Sequence, residues 1–129
     1  MLAVDTNVVV RYLTDDDAGQ SRVARRLIDG NAIWLLPTVL LETEWVLRSL
    51  YTYSRERIHA SLTAFIGLRS VSAEHPERIA AALDWFEHGM DFADAIHLAN
   101  CEDCEAFATF DRKLAAAARK AKAGKVKAL

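Results

Sequence analysis

The sequence predicts an α/β protein built on a short, parallel, helix-covered sheet. Three observations carry the prediction. Apolar runs at 2–5, 32–36, 70–73 and 106–110 are short enough for strands. Longer stretches of helical periodicity separate them, as crossover helices separate parallel strands. The first and fourth runs end alike, each handing an acid, Asp5 or Asp111, to the start of a helix. Parallel sheets bring such ends to one edge, and open α/β sheets place their chemistry at the carboxyl ends of strands.

Residues 2–5 form the first strand, and with no polar residue before Asp5 the run reads as buried. Val8, Val9, Val10, Tyr12 and Leu13 continue as a short helix, although β-branched residues lower its propensity. Asp15, Asp16 and Asp17 break it as a solvated turn that caps the next helix. The alternating acids and central glycine of a calcium loop are missing there. The helix at 18–29 is expected to turn Val23, Leu27 and Ile28 inward and Arg22, Arg25 and Arg26 largely outward, with Gly30 as its stop.

Pro37 closes the second strand, 32–36. The helix at 38–50 carries the stripe Val39, Thr43, Val46, Leu47 and Leu50, and Thr38 is placed to cap it. Ser54 opens a helix striped by Ile58, Leu62, Phe65 and Ile66. After the strand at 70–73, Pro76 starts a helix at a favoured first position and runs through Ile79, Leu83 and Phe86 to Gly89. Asp91 opens the next helix, which holds Phe92, Ala95, Ile96, Leu98 and Ala99. The strand at 106–110 leads into an Ala-rich helix ended by Gly124, and residues 126–129 add an edge strand.

A chain of 129 residues is one ordinary domain, read here as spanning 1–129. A hydrophobic share of 52% with 26% charged residues is that of a soluble globular protein. No window approaches ~18 uninterrupted apolar residues, which argues against a membrane span. Asp5 and Asn7 interrupt the N-terminal run too early for a signal peptide, so a cytoplasmic location is expected. Cys101 and Cys104 lack the partner pair that a zinc or redox site requires and read as reduced cysteines at a helix end.

The net charge of −2 conceals an asymmetry: seven basic residues and no acid follow Asp111. This basic tail suits a polyanion beside an acidic, cation-binding body. It equally suits a solvated helix face whose cations favour the helix C-terminus.

Four acids are candidate metal ligands: Asp5 and Asp111 at strand ends, Glu42 in the second turn of its helix near the inward stripe, and Asp94. Glu44 is the expected solvent-facing neighbour of Glu42. Asp91 and Asp94, at i and i+3, share one side of a first helical turn, with Asp91 as cap and Asp94 as ligand. Clustered carboxylates repel one another and acquire raised pKa values, which a hard divalent cation relieves. Oxygen-only ligands suit Mg²⁺ or Mn²⁺ rather than zinc. Such a centre is suited to phosphodiester hydrolysis, with Thr6, Asn7 or Thr109 orienting water or phosphate. There is no Gly-rich phosphate loop to support nucleoside triphosphate hydrolysis. His97, three residues after Asp94, reads as a packing histidine, and His59, His75 and His88 have no metal-ligand spacing. Trp34, Trp45, Trp85 and Phe86 read as core or subunit interface.

Val4-Asp5-Thr6-Asn7, the run from Leu41 to Leu47, the run from Asp91 to Ala99, and Thr109-Phe110-Asp111 together resemble a PIN domain of the VapC toxin family over essentially the whole chain. The resemblance implies a three-layer α/β/α fold with a short, mostly parallel central sheet of four or five strands. It also implies a Mg²⁺-dependent endoribonuclease toxin, a homodimer, a neutralising VapB-type antitoxin, and RNA substrates that are often transfer RNA. By motif, Asp5, Glu42, Asp94 and Asp111 take the family's acidic positions, and Thr6, Asn7, Asp91 and Thr109 stand around them. Arg112, Lys113 and Lys120 are the basic residues expected to meet RNA. Two other classes compete. A phosphatase of the haloacid dehalogenase type would use Asp5 as nucleophile, but Asn7 stands where that family wants a second Asp. A non-catalytic PIN-fold binding module would not need all four acids.

Overall fold

All five strands are only two or three residues long, so helices carry most of the packing. The structure, a computed structural model, describes residues 1–129. It falls into two compact units, Met1–Glu74 and His75–Leu129.

The first unit runs β1 (Leu2–Ala3), α1 (Thr6–Leu13), α2 (Ala18–Gly30), β2 (Ile33–Trp34), α3 (Pro37–Ser49), α4 (Arg55–Ile66) and β3 (Val71–Ser72). Its sheet is parallel in the order β1-β2-β3, with Leu2 opposite Ile33 and Ile33 opposite Val71. The central strand is buried through Ile33, whereas edge strand β1 leaves Leu2 and Ala3 exposed. The first strand is therefore less buried than its composition suggests; Val4, just past it, is the residue that enters the core.

Helix α2 buries Ile28 as its apolar residues predict but turns Val23 outward. Ser21, Ala24 and Ile28 point inward, while Val23 is 67% exposed. Small side chains let α1 and α2 approach, and the Ser21 hydroxyl is satisfied by donating to the Thr14 carbonyl at 2.8 Å. Helix α3 starts at Pro37 with Leu36 as its cap residue, so Thr38 is not the cap. Its buried residues include Val39, Thr43 and Leu47, but Leu50 lies past the helix and is exposed. Ser54 does cap α4, accepting from the Arg57 amide at 3.2 Å, and Ile58, Leu62 and Phe65 are buried.

The second unit runs α5 (Pro76–Glu87), α6 (Phe92–Ala99), β4 (Phe107–Thr109), α7 (Arg112–Ala121) and β5 (Val126–Ala128). Phe86 and Phe92 lock α5 to α6 edge-to-face, their ring centroids 5.3 Å apart. The turn between these helices needs Gly89, whose φ of 112° suits no ordinary L side chain. β4 and β5 pair in parallel, Phe107 opposite Val126 and Thr109 opposite Ala128.

The α/β class and all five strands are present, but they form a three-stranded and a two-stranded sheet instead of one sheet of four or five. Such short strands offer few ladder hydrogen bonds. β1 uses its bonds on β2, with the Leu2 amide donating to the Ala32 carbonyl at 2.8 Å. β4 uses its bonds on β5, through Phe107 to Lys125 at 2.8 Å and Leu129 to Thr109 at 2.9 Å. No helix is long and apolar enough to cross a membrane. Cys101 and Cys104 are free thiols, and burial, then the neighbouring Cys104, pushes the Cys101 thiol up, away from reactive thiolate.

Candidate metal centre

In the first unit Asp5 caps α1, its Oδ1 accepting from the Thr6 amide at 2.7 Å. An acid here complements the helix N-terminus and leaves its second oxygen for another partner. The next side chain, Thr6, is buried, and its Oγ1 has no hydrogen-bond partner. A buried hydroxyl without a partner is costly, and here it lies beside an exposed carboxylate.

The two glutamates of α3 exchange their expected places. Glu44 is the buried one, 3% exposed, and Arg48 one turn on grips it through Nε at 2.9 Å. Glu44 lies one turn after buried Leu40 and three residues before buried Leu47, which puts it on the inward face. Glu42 is exposed and faces a hollow of about 330 Å³ whose lining includes Asp5, Thr6, Asn7, Arg11 and Tyr51.

Arg11 is a member of this site that composition did not single out. Its guanidinium is held by Gln20 Oε1 at 2.7 Å, Asp16 Oδ1 at 2.8 Å and the Tyr51 hydroxyl at 2.9 Å. Tyr51 in turn donates to Asp16 Oδ2 at 2.5 Å. That bond, with those from Thr14 and Arg11, holds the Asp16 carboxyl below its ordinary range. The one available signal was a lone arginine after three valines in the last turn of α1. The adjacent acids also have structural duties: Asp17 caps α2 and Asp15 pairs with Arg25. The run of three acids therefore reads as a turn, not a metal loop.

In the second unit Asp91 caps α6, its Oδ2 accepting from the Asp94 amide at 3.2 Å. Asp111 caps α7, its Oδ1 accepting from the Leu114 amide at 3.0 Å. The Thr109 hydroxyl accepts from the Asp111 amide at 2.9 Å and fixes the turn that presents it. Asp94 is half-buried, and its carboxyl is pushed up by burial first, then by the charges of Asp91 and Asp111, with His97 opposing. The repulsion expected of clustered acids is thus felt among these three. His97 is exposed and stacks on Phe107, ring centroids 6.1 Å apart.

A hard divalent cation fits this donor chemistry. In the first unit exposed carboxylates accompany a buried hydroxyl that lacks a partner, and in the second one acid resists ionisation beside its neighbours. His88, expected to lack metal-ligand neighbours, stands with Asp84 and Glu87 at the end of α5, their ligand atoms within 4.8 Å of one another. All three are exposed, and His88 Nδ1 is already bonded to the Asp84 carbonyl at 2.8 Å. Acidic surface groupings of this kind are common without an ion, and no role is assigned to it. Arg112, Lys113 and Lys120 are exposed on α7.

Two short parallel strands, each followed two residues on by an acid that caps the next helix, define an α/β protein with oxygen donors of the kind hard cations take. Comparison with protein families makes the class specific, matching the PIN domain over residues 2–120. The chain belongs to the PIN domain family, whose members are generally metal-dependent nucleases. Neither the curated proteins nor the solved structures contain a match to it.

Proposed function

We propose that this PIN domain is a Mg²⁺-dependent endoribonuclease and the toxin of a toxin–antitoxin pair of the VapC kind. The observation that carries the nuclease reading is a repeated device. Asp5 and Asp111 each stand two residues past a strand and cap a helix, and Asp91 caps a third helix with Asp94 in its first turn. In this reading Asp5, Glu42, Asp94 and Asp111 hold the ion, with Mn²⁺ as an alternative to Mg²⁺. When bound, the ion activates water at neutral pH and stabilises charge on the leaving oxygen. Thr6 Oγ1 and Asn7 orient water or phosphate, while Asp91 and Thr109 fix the backbone that presents Asp94 and Asp111. Arg112, Lys113 and Lys120 neutralise RNA phosphates, so binding weakens as salt rises.

The toxin role, a VapB-type antitoxin partner, a homodimer and transfer RNA as substrate rest on the motif resemblance, and a cytoplasmic location goes with them. They belong to the same proposal. Purified protein is expected to cleave single-stranded RNA with Mg²⁺ and to stop when a chelator is added. Asp5→Asn is expected to lower cleavage at least about a hundredfold while leaving the fold intact. Chelator-resistant cleavage, or full activity of Asp5→Asn, overturns the assignment. Release of phosphate from small phosphomonoesters without RNA cleavage would instead favour the phosphatase reading.

A further inference from the structure

Phe110 is 82% exposed, more than any other large apolar side chain in the chain. A single exposed apolar residue is ordinary by itself. The mounting of this one is not. It stands between Thr109, whose carbonyl is tied to β5 by the Leu129 amide at 2.9 Å, and Asp111, whose carboxylate caps α7. A strand pairing on one side and a helix cap on the other therefore fix the backbone that carries the ring. Candidate ligand Asp111 is the next residue, and two exposed cations, Arg112 and Lys113, follow it.

We propose that Phe110 is a stacking platform for one nucleobase of a single-stranded RNA, adjacent to the bond that is cut. Unpaired bases present π-faces that stack on exposed aromatic rings, and the energy is tolerant of base identity. Arg112 and Lys113 supply the charge that holds the flanking phosphates. The ring then sets which nucleotide lies beside Asp111 and selects unpaired over duplex RNA. The proposal rests on the nuclease reading and deepens it.

The test measures binding of a short single-stranded RNA, 2′-O-methylated to prevent cleavage, by fluorescence anisotropy with the metal chelated. The wild-type chain, Phe110→Ala, Phe110→Leu and Phe110→Trp are compared, with circular dichroism confirming that each folds. Phe110→Ala and Phe110→Leu are expected to weaken binding about five- to a hundredfold, and Phe110→Trp to retain it. The loss should disappear when one particular nucleotide of the strand is made abasic. Equal affinity of wild type and Phe110→Ala overturns the proposal. So does full retention by Phe110→Leu, or a loss that persists at every abasic position. A fall from dimer to monomer in sedimentation, with affinity for RNA unchanged, also overturns it and assigns the ring to contact between copies. Failure of the wild-type chain both to bind and to cleave RNA defeats the nuclease reading itself. Normal binding and cleavage with an indifferent Phe110 defeats only this inference.

Discussion

The two units hold their acids differently. In Met1–Glu74, Asp5 and Glu42 face a hollow that also receives the guanidinium of Arg11, a cation fixed by Asp16, Gln20 and Tyr51. In His75–Leu129, Asp91, Asp94 and Asp111 meet at helix starts, and the half-buried Asp94 carboxyl is pushed up by burial and by the other two acids. The first set shares its hollow with a built-in cation. The second is eased by helix N-termini and His97 but keeps a net repulsion. The lesson is that the second set has more to gain from an added cation, and more to lose without one.

The largest effect on stability that separates structural acids from candidate ligands should come from Glu44. Arg48→Ala leaves this buried carboxylate without its partner and is expected to destabilise the chain by about 1–3 kcal/mol in denaturant unfolding. An unchanged midpoint would mean that Glu44 is solvated after all and that the two faces of α3 have been confused.

A smaller and more discriminating effect is expected from the acids themselves. Without metal, Asp94→Asn removes a repelled, half-buried charge and should raise the melting midpoint. Glu42→Gln, on an exposed carboxylate, should leave it within error. Added Mg²⁺ should raise the wild-type midpoint and narrow or reverse the advantage of Asp94→Asn. If Asp94→Asn is the less stable protein without metal, the contrast between the units is broken.

The smallest effect concerns Asp16. Its carboxyl is held below the ordinary value chiefly by the Tyr51 hydroxyl, so its contribution is fully present above the ordinary carboxylate pKa. That contribution is lost as pH falls through the lowered value. Asp16→Asn should therefore melt below wild type at neutral pH, and the gap should close in acid. A gap that is constant with pH would show that Asp16 does not anchor Arg11 through its charge.

Much of this architecture was legible because it is local. Ser54 and Asp91 start the helices they were expected to open, and Asp5 and Asp111, expected as metal ligands, cap helices as well, since capping depends on a side-chain oxygen and an amide one to three residues away. Short apolar runs placed the strands, and helical periodicity placed the helices. What escaped depends on neighbours that composition does not name. Val23 looked inward by hydrophobicity, but Ser21 and Ala24 win that face because small residues permit close helix packing. Glu44 looked solvent-facing, but Arg48 one turn later neutralises it and allows burial. The division of the strands into two sheets follows from non-local pairing between elements of two or three residues, which periodicity does not record. In the candidate site the acids were visible by type and position. Arg11 was not, because its partners lie up to forty residues away.

The proposed ligand set has Asp5 and Asp94 serve one cleavage reaction. It is tested most directly by a double-mutant cycle on RNA cleavage in Mg²⁺ with wild type, Asp5→Asn, Asp94→Asn and the double variant. Groups that act as a unit are strongly non-additive. Each single variant should therefore lose at least about a hundredfold, and the double variant should be no worse than the more damaged single. Losses that multiply in the double variant, or a fully active Asp94→Asn, would contradict a shared centre.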